Sequence, residues 1–173
     1  MTNNDIPFIK SVDFAGAIGQ IGQNAPETVA GLPQVAFSGR SNVGKSSLIN
    51  RFLGRTRSPI ARVSSTPGKT QEINFYHTRS VEGEFVVVDL PGYGFARVPE
   101  ATRRHWGQLL ESYFRQRRSL SGLLLVMDIR RGLTDFDRRL LGFAALVDVP
   151  VHVLLTKADK LKRGQASKVQ REV

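Results

Sequence analysis

Gly39-Arg40-Ser41-Asn42-Val43-Gly44-Lys45-Ser46 has the spacing Gly-x-x-x-x-Gly-Lys-Ser, and it joins the apolar stretch 34–37 to the helix-like stretch 47–53. A strand, this loop and a helix in that order decide the fold, because together they begin a phosphate-binding α/β unit. Glycines at both ends let the backbone turn so that successive N–H groups face anionic oxygens, and the helix adds the positive end of its dipole. Lys45 is expected to bridge the β- and γ-phosphates of a nucleotide. Ser46 offers a hydroxyl to Mg²⁺, a hard cation that prefers oxygen ligands and keeps several waters.

Outward from the loop, strand-like apolar stretches recur at 73–77, 84–89, 122–128 and 151–156, with helical spacing between most of them. In 134–147, Phe136, Leu140, Leu141, Phe143, Ala144 and Val147 fall mainly on one face, and Arg138 and Arg139 on the other, as an amphipathic helix requires. Stretches 73–77 and 84–89 are joined by a short polar segment containing Gly83, too short for a helical crossover, which predicts an antiparallel hairpin at the sheet edge. The remaining strands are separated by helices and should run parallel. The expected fold is therefore α/β: a mostly parallel sheet with one antiparallel hairpin strand, helices on both faces, and ligands at the carboxyl ends of the strands. Residues 1–173 fit one domain, and the basic connection 53–71, rich in Gly, Pro, Ser and Thr, has a length usual for functional or mobile loops.

Two more motifs fall at strand ends. Asp89-Leu90-Pro91-Gly92 closes an apolar stretch, so Asp89 should emerge beside the phosphate loop and hold Mg²⁺ through water, while the Gly92 N–H approaches the γ-phosphate. Thr156-Lys157-Ala158-Asp159 closes the last stretch. A carboxylate there can accept two hydrogen bonds from the N1–H and N2–H₂ edge of guanine, a donor pair that adenine lacks, and the Lys157 stem can lie along the base. The pattern points to GTP or GDP rather than ATP.

Composition narrows the setting. Cysteine is absent, which excludes disulfides and thiolate metal sites and suits a reducing compartment. Residues 1–13 lack the basic start and long apolar run of a signal peptide, and the longest apolar runs fall far short of the ~20 residues that cross a bilayer. A soluble cytoplasmic protein with no membrane partner is expected. The 25 Lys and Arg against 15 Asp and Glu leave a net charge of +10, a field that attracts polyanions such as RNA. Basic residues cluster at Arg55, Arg57, Arg62 and Lys69, and again at Arg97, Arg103, Arg104, Arg115, Arg117 and Arg118. Trp106 and Tyr113 interleave with the second cluster, either to stack on bases or to enter the core.

The phosphate loop, Ser65-Thr66-Pro67-Gly68-Lys69-Thr70-Gln71, Asp89-Leu90-Pro91-Gly92-Tyr93-Gly94 and Thr156-Lys157-Ala158-Asp159 together resemble the EngB ribosome-biogenesis GTPases among the translation-factor-related bacterial GTPases. The resemblance runs from about Phe8 onward, and the Pro-Gly-Lys-Thr-Gln and Leu-Pro-Gly-Tyr-Gly stretches are its most specific parts. It implies a Ras-like fold and a GTP switch that assists assembly of the large ribosomal subunit; the basic clusters beside both switches make its ribosomal RNA the expected contact, and a monomer is expected. The resemblance assigns the first switch to Gly68, Lys69, Thr70, Gln71 and the adjoining Glu72, with Thr70 completing the Mg²⁺ shell in the GTP state and Thr66 as the rival ligand. The second switch and its helix would fall within 93–118. In this reading Lys45, Thr70 and Gly92 serve catalysis by placing positive charge and N–H donors on the γ-phosphate, and no residue is a convincing general base.

Two departures bear on mechanism. Tyr93 follows Gly92 where Ras-like proteins place the glutamine that orients the attacking water, so intrinsic hydrolysis should be slow, no faster than the ~10⁻⁴ s⁻¹ scale of unassisted Ras. Asn42 stands where related potassium-activated GTPases use an asparagine to hold K⁺ against the nucleotide; its alternative role is to stabilise the loop. Family members continue with another strand, a Ser-Ala-type loop contacting the guanine oxygen, and a final helix, so the terminal strand and helix are expected to be missing here.

The guanine reading has a direct test. Asp159→Asn removes one charged acceptor, worth about 1.5 to 3 kcal/mol, and should shrink the preference for GDP over ADP in parallel titrations. Comparable affinities of the parent protein for GDP and ADP would refute it.

Overall fold

Alternation along the central strands divides their apolar side chains between two faces, and helices cover both. In the computed structural model, which describes residues 8–61, 72–94, 99–116 and 119–172, one sheet contains β1 (Ile9–Ile18), β2 (Gln34–Gly39), β3 (Ile73–Ser80), β4 (Glu84–Asp89), β5 (Leu120–Asp128) and β6 (Val151–Thr156), in the order β1-β3-β4-β2-β5-β6. The α-helices are α1 (Lys45–Phe52), α2 (Glu100–Gln116), α3 (Asp135–Leu146) and α4 (Arg163–Glu172). On one face Ala36, Phe75, Val88 and Leu125 meet Leu109 and Tyr113 of α2 and Leu140 and Ala144 of α3. On the other, Phe37, Tyr76, Val87 and Val126 meet Ile49 of α1. Among the described residues no helix is long and apolar enough to cross a membrane.

Strands β4, β2, β5 and β6 pair in parallel, and β3 pairs antiparallel with β4 as the hairpin reading requires. The sequence reading did not foresee β1. This strand pairs antiparallel with β3 along its length, so β3 lies inside the sheet rather than at its edge. Register irregularities between Ile9 and Ser11 and between Phe14 and Gly16 interrupt the alternation that would have revealed it.

Helix α3 starts where its sequence says it should. Thr134 is the N-cap, accepting from Asp137 N–H, while the Asp137 carboxylate accepts from the Thr134 backbone in return. Phe136, Leu140, Leu141, Phe143 and Ala144 pack inward, whereas Val147 is exposed, because the helix ends at Leu146 and Val147 is its C-cap.

The first part of the 53–71 connection is anchored at both ends, at Leu53 and at residues 60 and 61, with 56–59 exposed between them. Leu53 and Ala61 are buried, and buried Asn50 of α1 donates Nδ2–H to Ala61 O at 2.8 Å while its Oδ1 accepts from Ile60 N and Ala61 N at 2.9 Å each. An amide is the side chain that satisfies two N–H groups and one carbonyl at once. Asn50→Ala should therefore lower unfolding free energy by about 1 to 3 kcal/mol, the range for leaving a buried polar group unsatisfied, measured by urea unfolding; a loss within experimental error would show that water replaces the amide without cost.

Candidate nucleotide-binding site

The phosphate loop leaves β2 at Gly39, where a Cβ would meet Val126 O of β5 at 2.6 Å, so only glycine lets the two strands approach this closely. Gly44, in the left-handed region at φ 101°, precedes α1 as its N-cap without a side-chain cap, so the first turn lacks a side-chain acceptor where an anion could bind. Asn42 is also left-handed, at φ 62°, a conformation asparagine tolerates, which gives this residue type a local structural reason.

Lys45 Nζ donates to Asp89 Oδ1, and both side chains are buried. The sequence motifs assign one to the phosphates and the other to Mg²⁺; the fold brings them together at the carboxyl ends of β2 and β4. Asp89 and Ser46, the residue after Lys45 in α1, offer the hard oxygen donors that Mg²⁺ takes. A phosphate facing Lys45 and a cation facing Asp89 would each take the place of a partner carrying the same charge, so neither side chain would be left uncompensated.

The 156–159 segment is tied to the phosphate loop rather than merely close to it. Thr156 Oγ1 lies 2.8 Å from Val43 O and 2.9 Å from Met127 O, its one hydrogen shared between the two carbonyls. Lys157, left-handed at φ 61°, donates Nζ–H to Asn42 O at 2.8 Å and stands 3.2 Å from Asp128 Oδ2. Asp128, at the end of β5, also accepts from the Arg130 guanidinium at 2.9 and 2.6 Å and from Arg130 N at 3.1 Å. Arg130 hydrogen bonding outweighs burial and, with Lys157, holds the Asp128 carboxyl well below the usual carboxylate range. Asp128 and Arg130 escaped sequence reading; their one signal was an acid ending an apolar run two residues before an arginine. Ala158 and Asp159 are exposed, and Asp159 pairs with Lys160 at 3.1 Å, so its carboxylate is accessible to a base. A cavity of about 240 Å³ lies between these segments, lined by Arg40, Ser41, Asn42, Asp128, Arg131 and Lys157 among others.

Other expected contacts divide by environment. Gly68, Lys69, Thr70 and Gln71 lie outside the described residues, as does Thr66. Glu72 is exposed, with its side chain against Gly19 at the end of β1. Val43 and Leu90 are buried in the core, so they can meet a ligand only through their backbones. Pro91 and Gly92 continue from Asp89 toward the loop, and a Cβ on Gly92 would lie 3.2 Å from Ser41 Oγ. Tyr93 is buried: its carbonyl accepts from Ser41 N at 2.8 Å, its hydroxyl donates to Asp137 Oδ1, and its ring stacks on Phe136 at 4.1 Å. Burial, reinforced by Asp137, pushes the Tyr93 hydroxyl far above its ordinary range, so it remains a protonated donor.

The basic clusters are only partly available. Arg55 donates to Val12 O at 2.9 Å, and Arg104 and Arg115 pair with Glu100 and Glu111 at 3.2 and 2.9 Å while staying exposed, as does Arg103. Trp106 and Tyr113 are buried, which settles their role as core residues rather than base-stacking platforms. Arg62, Arg97, Arg117 and Arg118 lie outside the described residues.

The family model for 50S ribosome-binding GTPases matches residues 34–157. A probable GTP-binding protein EngB of Nitrosomonas europaea is 49% identical over 167 residues, 96% of this chain and 72% of the relative. The corresponding protein of Laribacter hongkongensis is 45% identical over 163 residues, 94% and 70% of the two chains. A crystal structure of a probable GTP-binding protein EngB superposes with a TM-score of 0.58 at 25% identity, covering 80% of this chain and 78% of that one. A bacterial selenocysteine-specific elongation factor shares the fold at TM-score 0.55 and 21% identity, over 82% of this chain and 22% of its own.

Because the folded Asp128 carboxyl titrates below its unfolded value of about 3.9, its stabilising effect is complete above that value and is lost as pH falls toward the folded one. Urea unfolding from pH 7 to pH 2 should show Asp128→Asn less stable at neutral pH and with a flatter acid limb than the parent. Parallel limbs would exclude Asp128 as a source of acid sensitivity.

Proposed function

Because the chain belongs to the 50S ribosome-binding GTPases, and among them to the EngB GTP-binding proteins, we propose that it is a slow GTP switch, built as a single G domain, that assists large-subunit assembly in the cytoplasm by contacting ribosomal RNA. The observation that carries the nucleotide half of this reading is the bonding of Thr156 and Lys157 to the carbonyls of Val43 and Asn42. These bonds hold the segment assigned to the base against the loop assigned to the phosphates, which supports a ligand that carries both at a fixed separation.

The reaction is in-line displacement at the γ-phosphorus by water, with GDP leaving. Lys45 and the N–H groups at the start of α1 bind the phosphates, the Gly92 N–H meets the γ-phosphate, and Asp159 accepts from guanine. Ser46, Thr70 and Asp89, the last through water, would hold Mg²⁺, which when bound would supply positive charge to the phosphates. Tyr93 supports slow turnover: its hydroxyl is buried on α3 and is not available to orient the attacking water. Assistance is assigned to the ribosome and to K⁺ beside Asn42, since an added cation and exclusion of water both favour the transition state.

The RNA half rests on the +10 charge and on exposed Arg103, Arg104 and Arg115 along α2. Turnover measured in Na⁺ and K⁺, with and without purified 50S subunits, should be slowest for the isolated protein in Na⁺. Co-sedimentation should be stronger with a GTP analogue than with GDP, and replacing Arg103, Arg104, Arg117 and Arg118 should lower the salt slope of binding by up to about 0.9 per lost duplex phosphate contact. Fast turnover in Na⁺ would remove the need for assistance, and unaltered subunit binding by the fourfold variant would move the RNA contact elsewhere. Absence of turnover under every condition, with nucleotide-dependent RNA binding intact, would favour a non-hydrolysing RNA-binding module.

A further inference from the structure

The turn that follows Asp89 is clamped from two sides. On the phosphate-loop side, Ser41 N donates to Tyr93 O at 2.8 Å, and Arg40 lies so close to Gly94 that a Cβ there would meet its Cγ and Nε at 2.8 Å. On the α3 side, the Tyr93 hydroxyl donates to Asp137 Oδ1 and its ring stacks on Phe136 at 4.1 Å with 23° between planes. Asp137 is itself held: its Oδ2 accepts from Thr134 N at 2.7 Å and from Thr134 Oγ1 at 2.6 Å, and only 3% of the residue is exposed. One carboxylate thus closes the α3 cap with one oxygen and grips Tyr93 with the other. Capping by itself requires only the first of these, and the residue gripped is the one directly after Gly92.

We propose that Asp137, acting through the Tyr93 hydroxyl, is a positioning residue for the GTP state, holding the 92–94 turn on the phosphate loop so that the Gly92 N–H faces the γ-phosphate before nucleotide binds. The proposal rests on the GTP-switch reading. A donor ordered in advance lowers the entropy lost on binding, and that gain goes only to a ligand that meets the donor. GDP has no γ-phosphate. The latch therefore discriminates between the two nucleotides, whereas a cap that merely stabilised α3 would affect both equally. It also explains why tyrosine occupies this position: the phenol reaches α3, where a shorter amide would stay at the phosphates.

Tyr93→Phe removes the hydroxyl while keeping the ring on Phe136 and leaving the Thr134–Asp137 cap whole. Asp137→Asn keeps the shape but has one acceptor oxygen for two sets of donors. Affinities for GDP and a non-hydrolysable GTP analogue should be titrated for both variants and their double, alongside thermal unfolding. Each variant should bind the analogue about tenfold more weakly, the scale of one buried hydrogen bond to a charged group, with GDP affinity within about twofold of the parent. The double should be no worse than the weaker single, since both changes break the same bond. Equal losses for GDP and the analogue, or no loss for either in folded Tyr93→Phe, would overturn the proposal and leave Asp137 a structural cap. If Asp137→Asn does not fold, Tyr93→Phe decides alone. Failure of the parent itself to bind either nucleotide would instead refute the GTP reading.

Discussion

A lysine and an aspartate buried against each other at the carboxyl ends of two adjacent parallel strands form the constraint around which the rest is arranged. Removing both charges from water is costly, and a well-packed apolar pair would serve stability as well or better. Lys45 and Asp89 nevertheless lie at the centre of the sheet's upper edge, each buried. Such a pair makes physical sense where a phosphate and a metal cation exchange with it, because each ion finds a partner of opposite sign already desolvated and fixed. The parallel pairing of β2 with β4, Phe37 opposite Asp89, sets that encounter.

The site around this pair is assembled by bonds that cross the sheet. Gly39 lets β2 approach β5, Thr156 at the end of β6 reaches back to Val43, and Lys157 reaches Asn42 while leaning on Asp128. Asp128 bears two cationic neighbours, Arg130 and Lys157, and so restrains the segment on which guanine selection is proposed to depend. Rigidity here serves recognition. A base and a triphosphate bound at opposite ends of one ligand report on the distance between their subsites, and slack in that distance would blur the discrimination.

Helix α3 gives the same frame a second connection. Its N-terminal cap grips the residue that follows Gly92, and its inner face belongs to the core shared with α2. In the proposed switch, a tyrosine committed to this contact cannot also arrange the attacking water. Order at the γ-phosphate and slow intrinsic chemistry would then have a common cause, and the proposed reaction would depend on what the ribosome or a monovalent cation brings.

The phosphate loop, the Asp89–Gly92 turn, the 156–159 segment and the parallel sheet were legible in the sequence because each is written locally: glycines where the backbone turns, acids at the ends of apolar runs, helical spacing between them. The amphipathic stripe placed α3 within one residue of its ends for the same reason, its cap and its buried face being neighbours in the chain. Strand β1 was hidden because two irregularities break its alternation and its partner lies more than fifty residues away. The burial of Trp106 and Tyr113, the anchoring of residues 60 and 61 by Asn50, and the Asp128 cluster depend on which elements pack together, which no local pattern encodes. Tyr93 illustrates the division. Its identity showed that the usual glutamine was absent, but Asp137 lies 44 positions further along the chain, and only the packing of α3 against the turn after β4 could decide where the hydroxyl goes.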